Sequence, residues 1–416
     1  MEFDTGDTAW VLASAAVVLF MTPGLALFYG GMVRARHVLA MLMQNFVAMG
    51  LVSVLWTLVA FSLAFGTDVA GAGVIGGLDL AGLRGLLDRP VPGFEALTIP
   101  PLLFAGYQMM FAVITPALIT GATADRLRFA GYMLFLGLWA LVVYAPVAHW
   151  VFSPSGWLYG LGALDFAGGT VVHINAGAAA LALCLVVGRR RGWPGEAMAP
   201  HSLPLTLAGA GILWFGWFGF NAGSALGASA LAASAFVNTH VAAAAGLLGW
   251  LVAERVKTGH PTTLGAASGA VAGLVAITPC AGFVGPLPAI VIGAAAGVLC
   301  LLAVQLKFTL GYDDSLDVVG VHLVGGVVGS LLLGMFADQA VNEAGTDGLL
   351  LGGGAGLLAD QAVAVLAVMA YSFVASLVLA KVVDLLVGLR VAPEEEAEGL
   401  DVTQHSETAY QPVELT

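Results

Sequence analysis

Charge is what this 416-residue sequence has least of: Asp, Glu, Lys and Arg make up 10% of it, where a soluble domain carries about 25%. That shortage excludes an ordinary water-soluble domain. With 59% hydrophobic residues and a mean hydropathy of +0.95, the chain holds more apolar surface than a globular core of its size can hide. A bilayer acting as solvent can take that surface. Positive charge is scarcer still, 14 Lys and Arg against 26 acids, so no basic surface for nucleic acid exists. Cysteine is almost missing. Cys184, Cys280 and Cys300 lie in apolar runs without a CxxC spacing, which excludes a disulfide framework and a metal knuckle and leaves them as small buried apolar residues. The opening MEFDTGDTAW lacks the Lys or Arg that begins a signal peptide. The first apolar run, from Trp10 to Gly31, therefore reads as a retained helix.

Long apolar stretches and glycine are abundant. Fifty-six glycines suit helices that approach closely in lipid. At about 20 apolar residues per crossing, eleven transmembrane helices are expected, at about 9–32, 38–65, 98–122, 130–151, 167–188, 203–225, 236–254, 262–283, 286–306, 318–337 and 359–386. Arg34, Arg36, Arg126, Arg128, Arg189, Arg190, Arg191, Arg255, Lys257, Lys307, Lys381 and Arg390 then fall on one side, and only Arg84 and Arg89 on the other. The positive-inside rule places the N-terminus outside and the C-terminus in the cytoplasm, which requires an odd number of spans. The fold class is thus an all-α polytopic membrane protein, with residues 1–390 as the transmembrane domain and 391–416 as a cytoplasmic tail. Five helices, five more and a long last one predict an inverted 5+5 repeat, about 9–188 and 203–337.

Each half ends in a helix with an Asp ahead of a His: Asp165 before His173, and Asp317 before His322. At 1.5 Å per residue these histidines lie about 12 Å and about 7.5 Å deep from opposite ends, so both approach the middle of a hydrocarbon core about 30 Å thick. Ionisable groups at that depth are costly and mark function. The plainer alternative is one imidazole bonded to a carbonyl as helix glue. No third Cys or carboxylate sits at a spacing that would make the pair a metal site. No nucleophile–base pair or cofactor loop points to an enzyme, and Gly352–Gly354 is an isolated glycine run.

The runs Phe28-Tyr-Gly-Gly-Met32, DFAGGTVVHIN at 165–175, GWFGFNAGS at 216–224, Phe236-Val-Asn-Thr239 and DVVGVH at 317–322 resemble the ammonium transporter family (Amt/Mep/Rh), on its Amt branch. The resemblance runs from Trp10 to Tyr410. It implies a homotrimer in the inner (plasma) membrane, with one pore per subunit and no cofactor. It places an outer ammonium-binding cage on Phe111, Phe152 and Ser224, stacked gating rings on Phe111 and Phe220, and a pore and proton relay on His173 and His322. Tyr107 and Gln108 fall in the vestibule. For Asp165 two readings stand: an N-cap of its helix, or a direct part in removing a proton. The sequence departs from the family in having Phe152 where a Trp is usual, a weaker cation–π partner; Trp150 and Trp157 are the other candidates for that place.

The implied activity is ammonium transport. The cation is recruited on aromatic faces and deprotonated, because an intact cation in an apolar bore faces a large desolvation cost. Ammonia then crosses, with the proton transferred separately. An ammonium sensor of the same fold with little flux, and an electroneutral ammonia gas channel, are the alternatives. The acidic tail reads either as a solvated, disordered segment or, through Gly399, Leu400, Asp401 and Tyr410, as the family's ordered tail. In the second case a PII-type signalling protein is the implied cytoplasmic partner.

Overall fold

The computed structural model describes Glu2–Tyr410. Among these residues the chain is helical, with two isolated β-bridges and no sheet. Ten helices are long and apolar enough to cross a membrane. In chain order, with one shorter helix, the elements are α1 (Thr5–Met32), α2 (Ala35–Phe65), α3 (Pro101–Thr123), α4 (Phe129–Leu161), α5 (Gly169–Val187), α6 (Leu203–Ala225), α7 (Ala230–Thr258), α8 (Thr263–Ile277), α9 (Pro286–Leu310), α10 (Val319–Phe336) and α11 (Gly356–Val387).

Local chemistry sets the ends. Asp4 caps α1 by accepting from the Asp7 N–H at 2.8 Å, and Pro101 opens α3 at a position where the missing N–H costs nothing. Ser229 caps α7, so this helix starts six residues before the expected position 236. The stretch expected as one span over 262–283 is a 15-residue helix followed by turns. Pro279 lacks the N–H to continue the helix, and the Thr278 hydroxyl turns back to the Leu274 carbonyl at 2.8 Å.

Glycine permits the close approach of helices at two junctions in particular. A Cβ on Gly209 would strike the α1 backbone at Gly24 and Phe28, and one on Gly297 would strike the α7 backbone at Gly246 and Trp250. Among the described residues four single-turn π segments occur, Trp56–Ala60 and Ala140–Tyr144 inside α2 and α4, and Gly169–Ile174 and Val319–Leu323 at the starts of α5 and α10. Such segments often mark functional sites, and the last two carry the two histidines.

One end of the bundle is tied by buried charge. Arg126 is fully buried and donates to the carbonyls of Gly188 at 2.8 Å and Asp313 at 2.5 Å and to Ser315 Oγ at 2.6 Å. Arg190 grips the Asp313 carboxylate at 2.8 and 2.9 Å, and Arg34 holds Asp125 at 3.0 Å. Charges taken out of water stay only when so paired. This knot joins the segments after α3 and α5 to the one before α10. We call it the basic end, and the opposite one the vestibule end.

The tail folds onto the basic end as α12 (Pro393–Glu398) and α13 (Leu400–His405). The Asp401 carboxylate accepts from the Ala40 N–H at 2.8 Å, and the Leu400 N–H donates to His37 Nδ1 at 3.2 Å. Glu396 accepts from the Arg191 N–H at 2.7 Å and from the Arg390 guanidinium at 2.9 Å. Tyr410 meets His201 Nε2 at 2.8 Å.

Candidate functional site

The start of α5 is organised by one carboxylate. Asp165 accepts from the N–H groups of Gly168, Gly169 and Thr170 at 2.7, 2.7 and 2.8 Å, and from the Thr170 hydroxyl at 2.5 Å. These are the donors a helix leaves unpaired at its first turn. Gly168 takes a left-handed conformation, φ 116°, which lets the chain wrap around the carboxylate. The π segment that follows aims His173 into the bundle.

The start of α10 repeats this arrangement, with a correction to the sequence reading. The capping carboxylate is Asp314, which accepts from the N–H groups of Val318 at 3.1 Å and Val319 at 2.7 Å. Asp317 instead takes the left-handed place that Gly168 holds in α5, φ 65°, and pairs with Lys307 at 2.5 Å. Measured from the true caps, His173 follows Asp165 and His322 follows Asp314 by the same eight residues (173 − 165 and 322 − 314). The five-residue offset from Asp317 is therefore not the counterpart of the eight-residue offset from Asp165.

The rings meet. His173 Nδ1 and His322 Nδ1 are 3.2 Å apart, with ring centroids at 5.3 Å and planes 25° apart. A contact between two ring nitrogens requires that one carry a hydrogen and the other a free lone pair. His173 Nε2 is buried with no hydrogen-bond partner in the protein, and the His173 ring borders a narrow apolar cavity. Trp217 stacks against His173 at 5.5 Å, and Phe220 follows at 6.2 Å.

Above the histidines, Phe111 and Phe220 lie 4.3 Å apart between centroids, tilted by 38°. Both are about 1% exposed, and they stand between two cavities, Phe111 bordering the wider one and Phe220 the narrower. The Tyr107 hydroxyl ties this ring pair to the end of α6, donating to the Gly219 carbonyl at 2.8 Å and lying 3.2 Å from Ser224 Oγ. Beyond the rings a cavity of about 370 Å³ opens at the vestibule end, lined among others by Gln108, Phe111, Phe152, Tyr159, Asp165 and Ser224. Phe152 is part of this wall; Trp150 and Trp157 are not among its lining residues. Trp150 turns away to donate to the Val74 carbonyl at 2.8 Å and to pack on Tyr371.

Below the rings a narrow apolar cavity runs past Leu25, Ile114, Val172 and Trp217 to both histidines. A third follows, shared at His322 and bordered by Tyr29, Ser268 and Asp317. The cavities form a series from the vestibule end to the basic end. Sequence reasoning missed Trp217, Tyr159 and Asp314. Trp217 was within reach, since it sits in the same GWFGFNAGS run as Phe220 and Ser224. Among the described residues no cluster of His, Cys, Asp and Glu could hold a metal ion. The remaining sequence candidates, Gly399, Leu400, Asp401 and Tyr410, lie in the docked tail at the basic end.

The profile of the Ammonium Transporter Family matches residues 9–410. The chain belongs to the ammonium transporter family. It is 52% identical to the ammonium transporter of Mycobacterium tuberculosis (strain H37Rv) over 98% of this chain and 90% of that one. In structure it is similar to Saccharomyces cerevisiae Mep2, with a TM-score of 0.87, 37% identity and coverage of 94% of this chain and 91% of that chain. It is also similar to a sensor Amt protein, with a TM-score of 0.88, 30% identity and coverage of 96% and 98%. This member of the ammonium transporter family is therefore a multi-pass membrane protein.

Proposed function

We propose that the chain conducts ammonium across the inner (plasma) membrane by splitting it into ammonia and a proton. The supporting observation is the His173–His322 contact at 3.2 Å, set in a series of cavities that runs from the vestibule to the basic end. Ammonium is recruited in the vestibule on the faces of Phe111 and Phe152, each contact contributing about 0.5–2 kcal/mol, with the Ser224 hydroxyl as an acceptor. The closed rings and apolar bore penalise an intact cation by many kcal/mol. The proton is therefore left behind and ammonia passes. In the lumen the histidines bond ammonia through Nε2 and share a proton through their facing Nδ1 atoms. Potassium has no proton to shed and stops at the rings. Asp165, its oxygens already filled by helix N–H groups, acts as the cap that holds His173 in place.

The architecture in this reading is eleven crossings, with α8 and its following turns as the eighth, in two inverted halves and a last helix. The N-terminus lies outside, the basic end faces the cytoplasm, and three copies assemble with one pore each. The docked tail gives a PII-type signalling protein a fixed cytoplasmic surface.

Purified protein in liposomes, with current recorded against ammonium and potassium gradients, tests the mechanism. Ammonium current without potassium current is expected, and His173→Leu with His322→Leu should abolish it. Undiminished current in that double variant sinks the relay. Ammonium binding without current would assign the chain as a sensor, and ammonia flux without charge movement as a gas channel.

A further inference from the structure

His149, on α4, takes no part in the passage. It is fully buried. Its Nδ1 lies 2.9 Å from the Ala64 carbonyl oxygen near the end of α2, and its Nε2 lies 3.0 Å from the Asp68 carboxylate in the loop after α2. Both ring nitrogens thus face acceptors. A carbonyl oxygen can only accept, so Nδ1 carries a hydrogen. A second hydrogen must lie between Nε2 and the carboxylate. The pair therefore holds one proton more than a neutral imidazole beside a carboxylate would. Burial works to raise the Asp68 carboxyl, but hydrogen bonds from the Gly73 backbone and from His149 outweigh it and hold the carboxyl below its usual value. Among the described residues the one charged group paired with His149 is Asp68. From α2 the ring is hydrogen-bonded to the Ala64 carbonyl, and its chain neighbours Ala148 and Trp150 carry no charge.

The same loop grips both sides of the break in α4 at Ser153–Gly156. Trp150 Nε1 donates to the Val74 carbonyl at 2.8 Å, and the Trp157 N–H donates to the Gly73 carbonyl at 3.0 Å. Phe152 sits between those two grips and forms part of the vestibule wall. We propose that His149 and Asp68 form a proton-bridged latch that positions Phe152, and through it the cation-recruiting wall of the vestibule. The inference rests on the vestibule reading above. His149 is a positioning residue in this account, since it does not line the passage. Loss of the bridging proton turns a lone pair of Nε2 toward a lone pair of the carboxylate and loosens the loop.

The test uses the full chain in liposomes, reading the half-saturating ammonium concentration and maximal current, together with hydrogen–deuterium exchange of residues 66–77. His149→Phe keeps a ring but no bonds. It should raise half-saturation about tenfold with little change in maximal current, and speed exchange over 66–77. Asp68→Asn can donate its amide N–H to a neutral Nε2, keeping the bond without the extra proton. It should hold half-saturation within about twofold of the wild type and keep exchange over 66–77 slow. If His149→Phe does not reach the membrane, Asp68→Ala, which removes the acceptor and leaves the ring, decides: half-saturation and exchange over 66–77 both at the wild-type value overturn the latch. Unchanged exchange over 66–77 in His149→Phe also overturns it. Half-saturation unmoved in His149→Phe but raised in Ser224→Ala sinks the latch alone. Half-saturation unmoved in both sinks the vestibule reading, and the latch with it.

Discussion

A carboxylate ringed by hydrogen-bond donors can hold the start of a helix in place. Asp165 does so through four close donors at the start of α5, and Asp314 through two backbone N–H groups at the start of α10. Each unsatisfied helix N–H costs about 1–3 kcal/mol in a buried site. Asp165→Ala should therefore lower the thermal midpoint in detergent and the ammonium current together. An unchanged midpoint with lost current would move Asp165 into the proton chemistry. Phe152 offers the opposite experiment, a gain. Phe152→Trp should strengthen cation–π attraction by about 0.5–1 kcal/mol and lower half-saturation about two- to fivefold, read from current against ammonium concentration. The histidines were legible in the sequence because imidazoles are conspicuous in apolar runs. Asp314 was not, since three aspartates stand within five positions, 313, 314 and 317. Only the backbone tells which one caps, which pairs with Arg190 and which pairs with Lys307.

Element existence followed from hydropathy, because a long apolar run has few ways to satisfy its backbone in lipid other than as a helix. Element ends did not follow so well. They depend on single hydrogen bonds, such as Ser229 at the start of α7 and Thr278 at the end of α8, which a hydropathy window averages away. The π segments left no trace in composition, although two of them carry the histidines. Packing between elements rests on backbone contact at glycine. Gly297→Val should prevent α9 from seating on α7 at Gly246, costing at least about 1–3 kcal/mol as overpacking. Size-exclusion profiles and yield from membranes check this, and a monodisperse product at wild-type yield would contradict it.

Across the whole molecule the uneven placement of Lys and Arg was plain in the sequence. What they hold was not, because partners such as Arg126 and Asp313 lie 187 positions apart. The same holds for the tail, whose acids read either as solvated charge or as part of an ordered segment; Glu396 and Asp401 are bonded to distant backbone. Asp401→Ala removes the bond to the Ala40 N–H, and charged hydrogen bonds contribute about 1.5–3 kcal/mol. Cleavage by a glutamate-specific protease at Glu394–Glu398 should then speed up at least about tenfold. Gel electrophoresis over time measures it, and an unchanged rate would mean that Glu396 and the Tyr410–His201 contact suffice to keep the tail in place.

Membranes differ in thickness, and spanning helices answer a mismatch by tilting at a small cost per ångström. Arg126 and Arg190 fasten the far end of α5 to the start of α10 through Asp313. The two imidazole-bearing helices are thereby coupled as one strut, while helices outside that fastening are freer to lean. Lipid chain length should thus alter how the protein sits far more than the gap between its two imidazoles, and conduction should survive a change of host membrane.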